Sequence, residues 1–151
     1  MNILFMGNIP KGRGGRQTSG LSIAVFETAL SISKNFGKSV KIYATDIKKD
    51  KSINNLDILT VSNLSSIINL VKSPLLSLQI LLILTKTYKT SFLRIFKELL
   101  KSVNFLSICS KYSINTVSLH GSTTCHLIDF LKDKKIKVYV TIHGVNSEDD
   151  S

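Results

Sequence analysis

An apolar run, Asn-Ile-Leu-Phe-Met at residues 2–6, stops at Gly7 and is followed by a polar, glycine-rich segment that extends to Ser19. A short apolar run that ends at a glycine predicts a buried strand and a turn. Apolar residues then recur at helical spacing over residues 20–36, and they alternate with polar ones over residues 40–44. Strand, loop, helix and strand predict a βαβ unit with parallel strands and a right-handed crossover.

The same reasoning extends along the chain. Ser19 or Thr18 is expected to cap the first helix, and Gly37 to end it. Pro74 fits the first turn of a helix better than an interior, so a break is expected at Ser73 and Pro74. The remaining predictions are strands at 57–61, 114–119 and 137–142, mostly helix over 64–112, and a helix at 123–131. Five strands with helices between them predict an α/β fold, a Rossmann-like three-layer α/β/α domain with a mostly parallel sheet.

Length and charge restrict the class of protein. A chain of 151 residues is expected to form a single domain, and it carries 20 Lys and Arg against 10 Asp and Glu. A net charge of +10 favours an anionic partner. Two cysteines, Cys109 and Cys125, without a zinc-type spacing predict neither a disulfide framework nor a metal site. The first residues have no basic n-region, so no secretory signal is expected.

A basic, glycine-rich loop follows the first strand. It contains Gly12, Gly14 and Gly15 between Lys11, Arg13 and Arg16, and it precedes a helix N-terminus, which favours an anion such as a phosphate. The spacing matches neither the dinucleotide fingerprint nor a P-loop. A surface loop without a ligand is the alternative.

Three strand ends carry further candidate residues. His120 and His143 each end a predicted strand and precede a glycine, so either is a candidate hydrogen-bond donor or general base, although a structural role is an equal alternative. His126 lies within a predicted helix and is expected to be structural. Asp46, at the end of the second strand, is better explained as a turn residue than as a ribose-binding acid.

Two helical segments bear on membranes. The apolar run at residues 75–84 is too short to span a bilayer and is predicted to be a buried helix. Residues 86–103 are predicted to form one basic amphipathic helix, which either lies at a membrane interface or packs on the core with a solvated basic face. Its candidate membrane-facing residues are Lys86, Lys89, Arg94, Lys97 and Lys101. No motif for nucleic-acid binding accompanies the charge, so nucleic acid is not expected as a partner.

The ordered set of motifs resembles a known family. The opening strand, the loop with Pro10, Gly14 and Gly15, the long helix, and the strand ends Val-Ser-Leu-His-Gly (117–121) and Val-Thr-Ile-His-Gly (140–144) are similar to the N-terminal domain of family 4 glycosyltransferases of the GT-B fold. The resemblance covers essentially the whole chain and is strongest over residues 1–46 and 114–147.

The resemblance implies a set of site residues at a cleft between two domains. His143 would face the donor sugar and serve as the catalytic candidate. Donor-phosphate or substrate contacts are implied at Gly14, Gly15, Arg16, His120, Gly144 and Asn146. The family also implies a nucleotide sugar as co-substrate, no other cofactor and no metal.

The resemblance further implies a biological role. The chain would be the acceptor-binding half of an enzyme for bacterial surface polysaccharide or lipopolysaccharide, inactive without the second domain and its EX7E glutamates, which this sequence lacks. Its partners would be a sugar or lipid-linked sugar acceptor and a C-terminal domain or partner subunit. It would be cytoplasmic and would bind the anionic inner face of the plasma membrane. A non-catalytic membrane adaptor of a split glycosyltransferase and an unrelated nucleotide-binding domain are the alternatives.

Overall fold

The computed structural model describes residues 1–16, 19–36, 39–88, 91–120 and 126–141. In these ranges the chain forms an α/β structure with one six-stranded sheet. The strands are β1 (Asn2–Met6), β2 (Ser39–Tyr43), β3 (Lys51–Ile53), β4 (Leu56–Leu59), β5 (Thr116–His120) and β6 (Lys137–Thr141). The helices are α1 (Gly20–Phe36), α2 (Asn63–Lys72), α3 (Pro74–Thr87), α4 (Phe92–Lys111) and α5 (Ile128–Asp133).

The sheet has the strand order β3-β4-β2-β1-β5-β6, in which all neighbours are parallel except β3 and β4. Counted among the parallel strands alone, the order is third, second, first, fourth, fifth. This is the doubly wound order of Rossmann-like domains, and its direction reverses between β1 and β5. The predicted α/β class with a mostly parallel sheet is confirmed, and the sheet is compatible with a Rossmann-like domain.

Each central strand buries both of its faces, as the continuous apolar runs predicted. On β1, Ile3 and Phe5 pack with α1, whereas Leu4 and Met6 pack with α4 on the opposite face. The sheet therefore separates two cores, and α4 is the main cover of the second one. Helices α2 and α3 pack on α4 as an outer layer.

The sequence predicted five strands and did not include β3. Lys51–Ile53 pairs antiparallel with β4 across the two-residue turn Asn54-Asn55, both of which have positive φ, 48° and 65°. Two consecutive positive φ values define the type I′ turn that matches the twist of a hairpin, and Asn tolerates them better than most residues. The pairing also shifts the predicted strand at 57–61 to Leu56–Leu59.

Helix α1 begins where the capping signal predicted. The Ser22 backbone N–H donates to Ser19 Oγ at 3.3 Å, so Ser19 caps the helix; Thr18 and Gly37 lie outside the described residues. Pro74 occupies the first turn of α3, which confirms the predicted break.

The prediction of one continuous helix over 86–103 is wrong. Helix α3 ends at Thr87 and α4 begins at Phe92, with Tyr88 and Ser91 in extended conformations between them. The segment is rich in Thr, Ser and Tyr, which are weaker helix formers than Leu or Lys, and Ser91 stands at the N-cap position of α4. Lys86 therefore belongs to α3, Arg94, Lys97 and Lys101 belong to α4, and Lys89 is outside the described residues.

The prediction of a buried helix at 75–84 is wrong for one of its faces. Ile80 and Leu84 are buried, but Leu75 is 76% exposed, and Leu78 and Leu82 are exposed by about half. Helix α4 covers only one side of α3. Because α3 has apolar residues on every side, the sequence does not show which side is buried. Among the described residues no single helix has the length and hydropathy to cross a bilayer, but α2 and α3 taken together do, with a 103° bend between them.

The last elements follow the predictions in outline. Strands β5 and β6 lie at the predicted 114–119 and 137–142 within two residues at each end. The helix predicted at 123–131 is described only from residue 126, and its regular part, α5, lies at Ile128–Asp133. Edge strand β6 is largely exposed, with Tyr139 61% exposed.

Candidate functional site

A cavity of about 180 Å³ lies at the carboxyl ends of β1, β2 and β5, where the strand order reverses. The first turns of α1 form one wall, and Lys101 of α4 closes another. In open parallel sheets this crevice is where ligands bind. Its lining residues are Met6, Gly7, Asn8, Ser19, Leu21, Ser22, Val25, Tyr43, Thr45, Lys101 and His120.

A larger cavity of about 770 Å³ adjoins the first and shares Tyr43, Thr45 and Lys101 with it. The side chains that it adds include Arg16, Lys97, Glu98 and Asn104. We call the two cavities together the carboxyl-edge crevice. The crevice combines hydroxyl, amide, carboxylate and cationic groups, a set suited to a polyhydroxylated or anionic ligand.

Asp46 fixes the loop that borders this crevice. Its carboxylate accepts the backbone N–H groups of Ile9, at 3.2 Å, and of Arg16, at 3.1 Å, so it ties the start and the end of the loop together. Neither sequence interpretation included this role, because both backbone partners lie at least 30 positions away in the chain.

The glycines of the loop serve its own folding. A Cβ on Gly15 would lie 1.9 Å from the carbonyl oxygen of Ile9, so no other residue fits there. Gly14 has φ +84°, a conformation that favours glycine, and Lys51 Nζ donates to the neighbouring Arg13 carbonyl at 2.6 Å. Neither Gly14 nor Gly15 lines the carboxyl-edge crevice.

The basic side chains of the loop point in different directions. Arg16 lines the larger cavity. Arg13 instead lies over the Phe26 ring at 5.7 Å and 3.9 Å from the Glu27 carboxylate, both on α1. The loop therefore supplies one cation to the crevice, whereas the sequence suggested a cluster of three.

His120 lies where the sequence placed it, at the end of β5 and on the wall of the smaller cavity. Its ring stacks on Phe5 with centroids 6.0 Å apart, and its Nε2 is 3.1 Å from Ser118 Oγ. These contacts orient the ring beside the crevice.

The other resemblance-derived residues lie outside the described part of the chain. They are His143, Gly144 and Asn146, together with Gly121, which follows His120. His126 is described: its Nε2 is 2.8 Å from Ser102 Oγ, a contact between α4 and the segment before α5 that suits the structural role expected of it.

Four residues lie together at the crevice, namely Tyr43, Glu98, Lys101 and Asn104. Sequence analysis selected only Lys101 among them, and as a membrane-facing residue. Tyr43 is 3% exposed, and its burial raises its pKa to about 12, against the opposing hydrogen bond from Asn104. The phenol therefore stays protonated and can donate. Glu98 and Lys101 form an ion pair at 3.7 Å beside it, and Glu98 Oε2 is buried without a hydrogen bond in the described structure.

A signal for these residues exists in the sequence. Glu98 is the only acidic residue between Asp57 and Asp129, and Asn104 interrupts the apolar face that Leu99, Val103 and Leu106 form on α4. A lone charge and a lone amide on an otherwise apolar stripe indicate a buried polar contact. Which strand end they meet depends on the packing of α4 across the sheet.

Within the described ranges, no three His, Cys, Asp or Glu side chains form a cluster that could hold a metal ion. The chain defines an α/β domain with a polar crevice at the reversal point of its sheet. No family model matches it, and neither the curated proteins nor the solved structures give a significant match.

Proposed function

We propose that the chain is the N-terminal, acceptor-binding domain of a sugar-nucleotide-dependent glycosyltransferase of the GT-B fold. In this proposal it acts in bacterial surface polysaccharide or lipopolysaccharide assembly, with a second domain or partner subunit that supplies most of the nucleotide-sugar site. The donor is a co-substrate, and no other cofactor is needed. The resemblance quoted above and the carboxyl-edge crevice support the proposal.

The observation that carries the proposal is the group formed by Tyr43, Glu98, Lys101 and Asn104 at the crevice. Glu98 lines the larger cavity, where its carboxylate is a candidate acceptor for a sugar hydroxyl. Lys101 donates without accepting, and Tyr43 remains a donor at neutral pH. A carboxylate, a cation and neutral donors around one cavity are typical partners of sugar hydroxyls and phosphates.

In this proposal the chain binds and orients its substrates. The first turns of α1 present backbone N–H groups and a positive dipole end to the smaller cavity, where Ser19, Ser22 and Asn8 add polar groups. Arg16 and Lys101 bring positive charge for a diphosphate. His143 stays the candidate catalytic residue through the resemblance alone.

A binding experiment on the isolated chain tests the role of the crevice. Nucleoside diphosphates, nucleotide sugars and oligosaccharide acceptors are titrated by calorimetry, first with the unaltered protein. We expect Glu98→Gln and Lys101→Gln each to weaken sugar binding by about tenfold or more, because a hydrogen bond to a charged group is worth roughly 1.5–3 kcal/mol. The controls Glu27→Gln and Lys34→Gln, on α1 and outside the crevice linings, should leave it unchanged.

Other outcomes would contradict the proposal. Binding of nucleotide with no gain from the sugar would favour an unrelated nucleotide-binding domain. A second test adds a glycosyltransferase C-terminal domain that carries the EX7E glutamates and measures sugar transfer. Absence of transfer with every donor, or equal transfer by a His143→Ala variant, would reject the function or the site, respectively.

A further inference from the structure

Helix α2 turns apolar residues outward and polar residues toward the protein, which is the opposite of most surface helices. Its exposed residues Leu64, Ile67, Ile68 and Val71 recur at the spacing i, i+3, i+4 and i+7, and each is at least 43% exposed. They therefore form one apolar stripe along the outer side. Ser66, on the inner side, is buried.

Polar contacts hold the inner side of α2 to α4. Asn104 Nδ2 donates to Ser66 Oγ at 2.7 Å, and Asn69 Nδ2 donates to Asn104 Oδ1 at 3.0 Å. Ser107 Oγ donates to Asn69 Oδ1 at 3.4 Å. We call these four residues the α2–α4 polar seam. Since the seam attaches the helix, the outer apolar stripe is not required to hold α2 in place.

The neighbouring helices also carry exposed apolar residues. On α3, Leu75, Leu78 and Leu82 are more than half exposed, and Ser77 on the inner side bonds to the Leu70 and Ser73 carbonyls. At the start of α4, Phe92 and Leu93 are over 70% exposed. We call the exposed apolar residues of α2, α3 and the first turns of α4 the outer apolar face: Leu64, Ile67, Ile68, Val71, Leu75, Leu78, Leu82, Ile83, Phe92, Leu93 and Phe96.

Charge around this face has a single sign. From Ile58 to Lys97 the sequence contains five basic residues and no acidic one. Lys72, at the end of α2, and Lys86, at the end of α3, are exposed, as is Arg94 beside Phe92 and Leu93. Exposed apolar side chains among cations, without carboxylates, complement the acyl boundary and headgroups of an anionic bilayer.

The geometry favours lying on a bilayer over crossing it. One side of both α2 and α3 is occupied by α4, so neither helix can be surrounded by lipid. Their axes meet near Ser73 with a 103° bend. Two axes that meet lie in one plane, so both helices can lie parallel to a bilayer surface at the same time. A cluster of exposed apolar side chains of this kind marks an interaction site.

We propose that the outer apolar face docks the chain onto an anionic lipid bilayer, with Lys72, Lys86 and Arg94 at the headgroups. This extends the membrane contact from the segment 86–103 to α2 and α3, and keeps Lys86 and Arg94 from the predicted set. Lys97 and Lys101 line the carboxyl-edge crevice instead. The inference does not depend on the proposed sugar chemistry.

Vesicle flotation of the full chain tests the docking surface. Vesicles of phosphatidylcholine alone are compared with vesicles containing a quarter of phosphatidylglycerol, at low and at high salt. We expect binding to the anionic vesicles, weakened by salt because screening shortens the reach of the charges. The double variant Leu75→Ser with Leu78→Ser should lose at least tenfold in affinity, because each buried methylene contributes about 0.8 kcal/mol.

Matched variants separate the apolar and the basic contributions. Ile23→Ser with Tyr139→Ser, exposed apolar residues elsewhere on the surface, should bind vesicles like the unaltered chain. Lys72→Gln with Lys86→Gln should weaken anionic binding about 30-fold, since each basic residue near the surface contributes about 1 kcal/mol. Lys34→Gln with Lys132→Gln is the control for charge. Circular dichroism confirms that each variant is folded.

Three results of the flotation experiment would overturn the proposal. They are equal flotation with neutral and anionic vesicles, the absence of flotation with both, and unchanged binding by the Leu75 and Leu78 double variant. Sedimentation without lipid measures whether a second copy of the chain binds the same surface instead. A dimer that the same double variant abolishes would assign the face to a second copy of the chain, and would equally reject lipid docking.

Discussion

At the scale of single residues, Asp46 and Gly15 shape the loop beside the crevice, although neither lines the crevice itself. Asp46 accepts backbone N–H groups from the two ends of the loop, and Gly15 lets those ends approach each other. Arg16 follows Gly15 directly, so the close approach at Gly15 sets where its side chain enters the larger cavity. Function in this loop would therefore depend on backbone shape as much as on charge.

The substitution Gly15→Ala tests the close approach. The new Cβ would lie 1.9 Å from the Ile9 carbonyl oxygen, and backbone cannot yield as a flexible side chain does. We expect the loop to rearrange, with a loss of about 1–3 kcal/mol in the free energy of unfolding measured by urea denaturation.

Gly12→Ala is the matched control for that prediction, because a Cβ on Gly12 meets nothing within 4 Å. Its free energy of unfolding should stay within about 0.5 kcal/mol of the unaltered chain. Equal effects of the two substitutions would show that the loop does not hold the described conformation.

At the scale of elements, the polar seam decides how α2 attaches to the rest of the molecule. Asn104 is 3% exposed and serves Ser66 and Asn69 at once. In most surface helices apolar contacts supply this attachment, and the polar side faces water. Because polar contacts attach α2, its apolar side chains are available to form an external surface.

Asn104→Ala should destabilise the fold by about 1–3 kcal/mol, because it removes the donor to Ser66 Oγ and the acceptor of Asn69 Nδ2, and leaves Ser66 with only its bond to the Ser62 carbonyl. A double-mutant cycle with Asn69→Ala should show a coupling of at least about 0.5 kcal/mol. Asn35→Ala, which removes an exposed hydrogen bond to Ser31 on α1, is the control and should have little effect. Additive effects at positions 69 and 104 would contradict the seam.

The β3–β4 hairpin provides a second prediction at this scale. Both turn residues have positive φ, and the second position of a type I′ turn prefers glycine. Asn55→Gly should therefore raise the free energy of unfolding by about 0.5 kcal/mol, whereas Asn55→Val should lower it by about 1–2 kcal/mol. Thermal unfolding of the two variants measures the difference, and the same sign for both would reject the turn assignment.

At the scale of the whole molecule, stability should fall in alkaline solution. Burial raises the pKa of the Cys109 thiol from 9.0 to about 12 and that of Tyr43 from 10.0 to about 12. Well below about pH 9 both groups are protonated in the folded and the unfolded chain, so they add no pH dependence. Between about pH 9 and 12 the unfolded chain loses these protons first, which favours unfolding.

The free energy of unfolding should therefore decrease steadily over this range. For each group, a tenfold difference in proton affinity between the folded and the unfolded chain corresponds to about 1.4 kcal/mol. Urea denaturation at several pH values measures the slope. Cys109→Ala should reduce the slope, most clearly near the lower end of the range, because the thiol of the unfolded chain titrates before the phenol. An unchanged slope in this variant would contradict burial of the thiol.

The sequence predicted the elements whose signal is local. Strand β1, helix α1 with its Ser19 cap and the break at Pro74 depend on residues within a few positions of each other. The doubly wound topology follows from their alternation. Strand β3 was not predicted, because a strand of only three residues shows little periodicity. The Asn-Asn pair before β4 is nevertheless a turn signal.

Of the candidate site, the sequence placed His120 and Arg16 at the correct edge, since the carboxyl ends of parallel strands share one side of a sheet. It did not place Glu98, Lys101 and Asn104 there. These residues lie on α4, more than 50 positions after Tyr43 in the chain, and reach it only because α4 crosses that edge.

The sequence by itself determined the α/β class, the basic character and the positions of most helices and strands, because hydrophobic periodicity and capping act over short distances along the chain. Only the tertiary structure decided which groups meet at the crevice and which side of α2 and α3 faces outward. An apolar helix surface can be buried or exposed with the same local pattern. The outcome depends on how much of it α4 covers, and α4 covers one side only.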